Sequence, residues 1–98
     1  MARHMIIGNV KVKSGNRPAM ENVADQGGPG MAQLPGFESV TFYLDEDRSV
    51  YGAVSVWESR EAAESAEAAT TPQFTEAIGD LADGPIETSI YEIYEPKT

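Results

Sequence analysis

Residues 37–69 read FESVTFYLDEDRSVYGAVSVWESREAAESAEAA, and this stretch decides the fold. Phe37 to Leu44 and Ser49 to Trp57 are two β-prone runs rich in valine, phenylalanine and tyrosine, flanking the polar tetrapeptide Asp45–Arg48. That arrangement predicts a β-hairpin with a polar loop. At Ser59 the apolar period changes from two to about 3.6, because a strand alternates its side chains whereas a helix returns them every turn. Ser59 is a good helix N-cap, and Glu61 in the first turn complements the helix dipole. An alanine face at Ala62, Ala66 and Ala69 follows.

Upstream, Met5 to Lys13 reads as a strand with Ile6, Val10 and Val12 on one face and Asn9, Lys11 and Lys13 on the other. Pro18 suits the first turn of a helix that carries Met20, Val23 and Ala24 on one side. The segment Gly27-Gly28-Pro29-Gly30 is predicted to stop that helix, since interior glycine costs about 1 kcal/mol and proline about 3. Downstream, Thr70-Thr71-Pro72 is predicted to end one helix and start another, with Thr71 as its cap. Phe74, Ala77, Ile78 and Leu81 then form an apolar stripe. Gly84-Pro85 closes it, and Ile86 to Tyr94 is the last strand. The order is β-α-β-β-α-β, an α+β ferredoxin-like split βαβ with an antiparallel sheet.

Alternation places Val40, Phe42, Leu44, Val50, Val54 and Val56 in one set, which reads as core. The other set holds Phe37, Ser39, Thr41, Tyr43, Tyr51, Ala53, Ser55 and Trp57. It is too apolar to leave in water and unlike a plain core. Both faces of the sheet are therefore expected to be covered, one by the helices and one by a second subunit.

The chain has 98 residues, a size for one domain, with the core expected within residues 5–95. It has no cysteine, which removes disulfides and a thiol nucleophile and suits a cytoplasmic location. Its net charge of −9 disfavours nucleic acid. No apolar run is long enough to span a bilayer, and MARHMIIG lacks the h-region of a signal peptide. The stretch MARHM also reads as a partial cloning remnant, which would empty His4 of meaning. GGPGMAQLPGF, residues 27–37, is not a phosphate loop. Its glycines follow a helix, no lysine is present, and a strand comes next.

Pro35-Gly36-Phe37 at the start of the second strand, Trp57-Glu58-Ser59 at the strand-to-helix junction, and the helix PQFTEAIGDL together resemble the antibiotic-biosynthesis monooxygenase family of the dimeric α+β barrel superfamily. The resemblance runs from Met5 to Tyr94. It implies a homodimer packed through its sheet faces and a pocket between each sheet and its helices. It also implies chemistry without metal or flavin, in which an electron-rich polycyclic phenol itself reduces oxygen. The protein then shapes an apolar pocket, favours the phenolate and helps remove a proton. Applied to this chain, it points to Asn9 and Trp57 as candidate catalytic residues and to Met20, Met31, Phe74 and Ile78 as pocket lining. Asn9 alternatively is a tolerated polar residue, and a register slip of one would turn it to the opposite face. Trp57 alternatively plugs the core. Tyr43, Tyr51, Tyr91 and Tyr94 are phenolic donors or packing residues.

The haem-degrading branch of that superfamily relies on a histidine where this chain has Ile78, and on a tryptophan where it has AESAEAA, so haem degradation is not expected. No histidine lies mid-chain to act as a base near neutral pH. Asp25, Glu76 and Asp80 are the acidic substitutes, the last two on a solvated helix face. Two functional readings follow: a cofactor-independent monooxygenase acting on a small aromatic or polyketide-like metabolite, or a dimer that binds a small apolar ligand or serves an accessory role without catalysis. A purely structural module is the third class.

Overall fold

A computed structural model describes residues 2–97. Its elements run β1 His4–Lys11, α1 Arg17–Met31, β2 Phe37–Asp45, β3 Val50–Trp57, α2 Arg60–Ile78, a short 3-10 turn Gly79–Leu81, and β4 Glu87–Glu92. The four strands form one antiparallel sheet in the order β2-β3-β1-β4. This is the predicted β-α-β-β-α-β order.

The hairpin loop is Glu46–Ser49, closed by the Arg48 amide donating to the Asp45 carboxylate at 3.2 Å. With Asp45 opposite Val50, the register pairs Leu44 with Tyr51, Phe42 with Ala53 and Val40 with Ser55. Opposed residues share a face. The even-numbered row of β2 therefore lies with the odd-numbered row of β3, which corrects the expected grouping. Loop length, invisible to alternation within either strand, decides this. Val40, Phe42, Leu44, Tyr51, Ala53, Ser55 and Trp57 lie under the helices with Ile6, Gly8 and Val10 of β1. Val50, Val54 and Val56 lie on the outer face with Met5, Ile7 and Asn9. A register shift between Phe37 and Ser39 returns Phe37 to the inner face, where its ring meets Trp57 edge-on at 5.5 Å.

Both helices are longer than local propensity allows. α1 continues through Gly27, Gly28, Pro29 and Gly30 to Met31, which is buried. Pro29 brings no amide for the Asp25 carbonyl. Packing outweighs this cost, as it does for most helices in proteins. Gly27 lies so close to the Phe74 ring that a Cβ there would overlap it, and Gly28 approaches Phe42. Gly27 lets α1 close onto the Phe74 ring, and the predicted helix stop is replaced by a helix that runs on to Met31. α2 likewise passes through Thr70, Thr71 and Pro72 without a break. Thr71 is thus no cap, and its carbonyl accepts from the Thr75 hydroxyl at 2.8 Å. Ser59 does cap α2, accepting from the Ala62 amide at 3.1 Å. The buried alanines are Ala63 and Ala66, while Ala69 is exposed.

The core has two parts. One joins Ile6, Met31, Trp57, Ala63 and Ala66; the other joins Val10, Val12, Met20, Tyr51 and Ile78. Trp57 is fully buried, and its Nε1–H donates to the Ser55 Oγ at 2.8 Å.

Candidate functional site

Between the two core clusters the inner sheet face and the helices leave a cavity of about 190 Å³. Small residues make room for it. Gly8 and Ala53 line it from the centre of the sheet, where larger side chains would fill it, and Gly52, whose side-chain direction is the outer face, borders it only through its main chain. Met20, Val23 and Ala24 contribute from α1, and Phe74 and Ile78 from α2. Phe42 and Leu44 also line it yet are 37% and 39% exposed, so they mark its open side beside the edge strand.

Of the residues singled out in the sequence, Met20, Met31, Phe74 and Ile78 all border this cavity. Trp57 does not border it; the indole sits in the neighbouring core. Asn9 borders it, but β1 alternation puts the Asn9 side chain on the face opposite Ile6 and Val10, opposite Gly52 in the register. Asn9 therefore meets the cavity through its main chain. Tyr43 also belongs to the outer face, where its hydroxyl donates to the Gly8 carbonyl at 3.1 Å. Asp25, Glu76 and Asp80 are exposed.

The polar groups that do line the cavity are few. Ser55 is engaged by the Trp57 indole. Thr88 of β4 donates its hydroxyl proton to the Glu67 carboxylate of α2. The Tyr51 hydroxyl has no hydrogen-bond partner among the described residues; every sealed-off polar side-chain atom there has one, so this hydroxyl retains accessible space. Glu21 lines the cavity and, with Glu46, accepts from the Arg17 guanidinium, whose pKa these bonds raise. No lysine, arginine or histidine borders the cavity among the described residues.

Thr88 and Glu67 escaped the sequence reading, whereas Tyr51 is one of the four tyrosines it offered as phenolic donors or packing residues. Thr88 alternates with Ile86 and Ile90, which is a signal for the inner face. Glu67 in an alanine-rich helix looks solvated, and nothing local announces that it reaches β4. The cavity can thus enclose an apolar ring, offer it one unpartnered phenol, and present one hydroxyl whose proton is already committed.

The sequence matches the model of the antibiotic biosynthesis monooxygenase family over residues 3–79. The chain belongs to that family. No curated protein matches its sequence. Among solved structures, SnoaB, a cofactor-independent oxygenase from Streptomyces nogalater, superposes with a TM-score of 0.77 at 18% identity, covering 98% of this chain and 97% of that one. Rv0793 from Mycobacterium tuberculosis gives a TM-score of 0.77 at 14% identity, with 99% and 100% covered. NE2512 from Nitrosomonas europaea, a protein of unknown function, gives 0.77 at 14% identity, with 100% and 95% covered. At such identities the structural likeness establishes the fold.

Proposed function

We propose that this family member is a cofactor-independent monooxygenase acting on a small electron-rich aromatic held between its sheet and helices. The observation that carries the proposal is the apolar cavity over Gly8, Gly52 and Ala53, with Tyr51 and Thr88 at its wall. SnoaB, of the same fold, is itself a cofactor-independent oxygenase. In the reaction an electron-rich ring carbon bearing hydrogen becomes a carbonyl. One atom of O₂ enters that carbonyl, the other leaves as water, and the substrate supplies all four electrons. The protein's share is to exclude water, orient the ring and hold the hydroxyl whose ionisation activates it. Oxygen uptake with arenols is expected to exceed the spontaneous rate. Uptake equal to the spontaneous rate across arenols of different ring number would remove the proposal.

A second reading, ligand binding without catalysis, draws on the exposure of Asp25, Glu76 and Asp80 and on the absence of a histidine along the cavity wall among the described residues. The same oxygen measurement separates the two, since a binder retains affinity for the arenol without consuming oxygen.

The functional unit we propose is a homodimer. Both helices pack on the inner face, and the outer face carries Met5, Ile7, Val54 and Val56 beside Tyr43 and the 54%-exposed Tyr91. A second copy packed sheet to sheet covers these groups and leaves the cavity behind the sheet intact. Light scattering at micromolar concentration is expected to give twice the 10.6 kDa chain mass. A stable monomer would contradict the assembly.

A further inference from the structure

Cavity size, charge and hydrogen-bonding polarity together select a ligand class. An apolar cavity of about 150 Å³ takes one benzene ring. The present cavity, about 190 Å³ and open beside Phe42 and Leu44, has room for one ring or two fused rings. A third ring in line would stand out into solvent. Charge narrows the class further. No cationic side chain borders the cavity among the described residues, and Glu21 does. The Arg17 guanidinium is already shared between Glu21 and Glu46. A carboxylate or phosphate on the ligand would thus enter unpaired beside acidic groups, at a heavy desolvation cost.

The remaining polarity is directional. Thr88 gives its only proton to Glu67, so its oxygen is left solely as an acceptor toward a ligand. Because that proton is bound to a carboxylate, the Thr88 oxygen is a better acceptor than a free hydroxyl. Tyr51 lines the cavity, makes no side-chain hydrogen bond among the described residues and has a proton to donate. An arene bearing a hydroxyl satisfies both, donating to Thr88 and accepting from Tyr51. An arene with no donor leaves Thr88 unanswered.

We propose that the cavity selects an uncharged hydroxyarene of one or two fused rings, with Thr88 as the acceptor, Glu67 as the residue that fixes its polarity, and Tyr51 as the donor. This rests on the cavity being the ligand site, as in the proposed function, and it specifies the ligand for that site. Glu67 acts through Thr88 and is a positioning residue.

Anaerobic equilibrium titration with 1-naphthol, naphthalene, 1-naphthoate and 1-hydroxyanthracene tests the selection apart from turnover. 1-Naphthol is expected to bind more tightly than 1-naphthoate and 1-hydroxyanthracene. Thr88→Val is expected to lower the naphthol-to-naphthalene affinity ratio roughly tenfold, the usual scale for a lost buried hydrogen bond. Thr88→Ser should restore the ratio, and Glu67→Gln should lower it partway while naphthalene binding stays unchanged. Tyr51→Phe supplies an independent variant, with a ratio reduced as in Thr88→Val. Tighter binding of 1-naphthoate or 1-hydroxyanthracene, or an unchanged ratio in both Thr88→Val and Tyr51→Phe, would overturn the selection. If 1-hydroxyanthracene binds best and is oxidised, the proposed oxygenase survives while this ligand class falls. If no arene binds, both fall together.

Discussion

Trp57→Ala is expected to lower stability by about 3–5 kcal/mol, read as a reduced midpoint in urea unfolding. The indole is fully buried at the end of β3, edge-on to Phe37 and packed beside Ala63 and Ala66, residues too small to close over the space. Its removal also strips the buried Ser55 hydroxyl of its donor, a further cost of about 1–3 kcal/mol if no water replaces it. Trp57→Phe separates the two contributions, because it keeps most of the ring and loses Nε1–H. A loss below about 1 kcal/mol in Trp57→Ala would mean that the indole does not hold this end of the sheet.

Gly52→Ala is the second large expected effect, about 1–3 kcal/mol destabilising as for other overpacked sites. In a strand, glycine to alanine ordinarily gains about 0.5–1 kcal/mol through chain entropy. Here the new methyl has nowhere to go. It would overlap the Tyr43 ring, which crosses Gly52 to reach the Gly8 carbonyl, and that carbonyl itself. Tyr43→Ala in the same chain removes the first obstacle and leaves the second. The double variant is therefore expected to recover only part of the loss. A neutral or stabilising Gly52→Ala would show that the outer face is looser than this packing.

The contrast between these two sites bears on how much the sequence discloses. Element order, the hairpin, the Ser59 cap and the strand content follow from period and turn chemistry, which are local. Local rules fail at Gly27–Gly30 and at Thr70–Pro72 because the deciding contacts are not local. Met31 is anchored in the core, and Gly27 is needed where α1 touches Phe74 of α2. Both helices therefore run on through residues that would break them in isolation. Face assignment fails for a different reason. Each strand alternates correctly on its own, but which row joins which depends on the hairpin loop between Asp45 and Val50. A register moved by one residue exchanges the two faces.

The site divides along the same line. Met20, Met31, Phe74 and Ile78 are apolar residues of the helices, and the helical period locates them beside the cavity. Asn9 is polar and sits on β1, where register alone decides its direction; it points away from the helices. Glu67 and Thr88 are separated by most of α2 and the turn after it. Their pairing is a tertiary contact with no counterpart in either stretch. Gly36 shows the opposite case, a family-like position with a visible cause. Its φ of +82° and the 2.6 Å from a built Cβ to the Ala62 methyl carbon both demand glycine where β2 begins.

If an arene meets oxygen in the cavity above Ala53, filling that cavity must stop the reaction. Ala53→Leu fills that cavity from its centre without adding charge, and circular dichroism and light scattering check that fold and assembly persist. The reaction is followed as oxygen uptake with 1-naphthol together with formation of 1,4-naphthoquinone. The wild-type chain is expected to exceed the spontaneous rate, and Ala53→Leu to lose at least about tenfold of that excess, because displaced or excluded substrate no longer reaches a reactive geometry. Wild-type uptake at the spontaneous rate, or equal acceleration by wild type and Ala53→Leu, would contradict a reaction in that cavity.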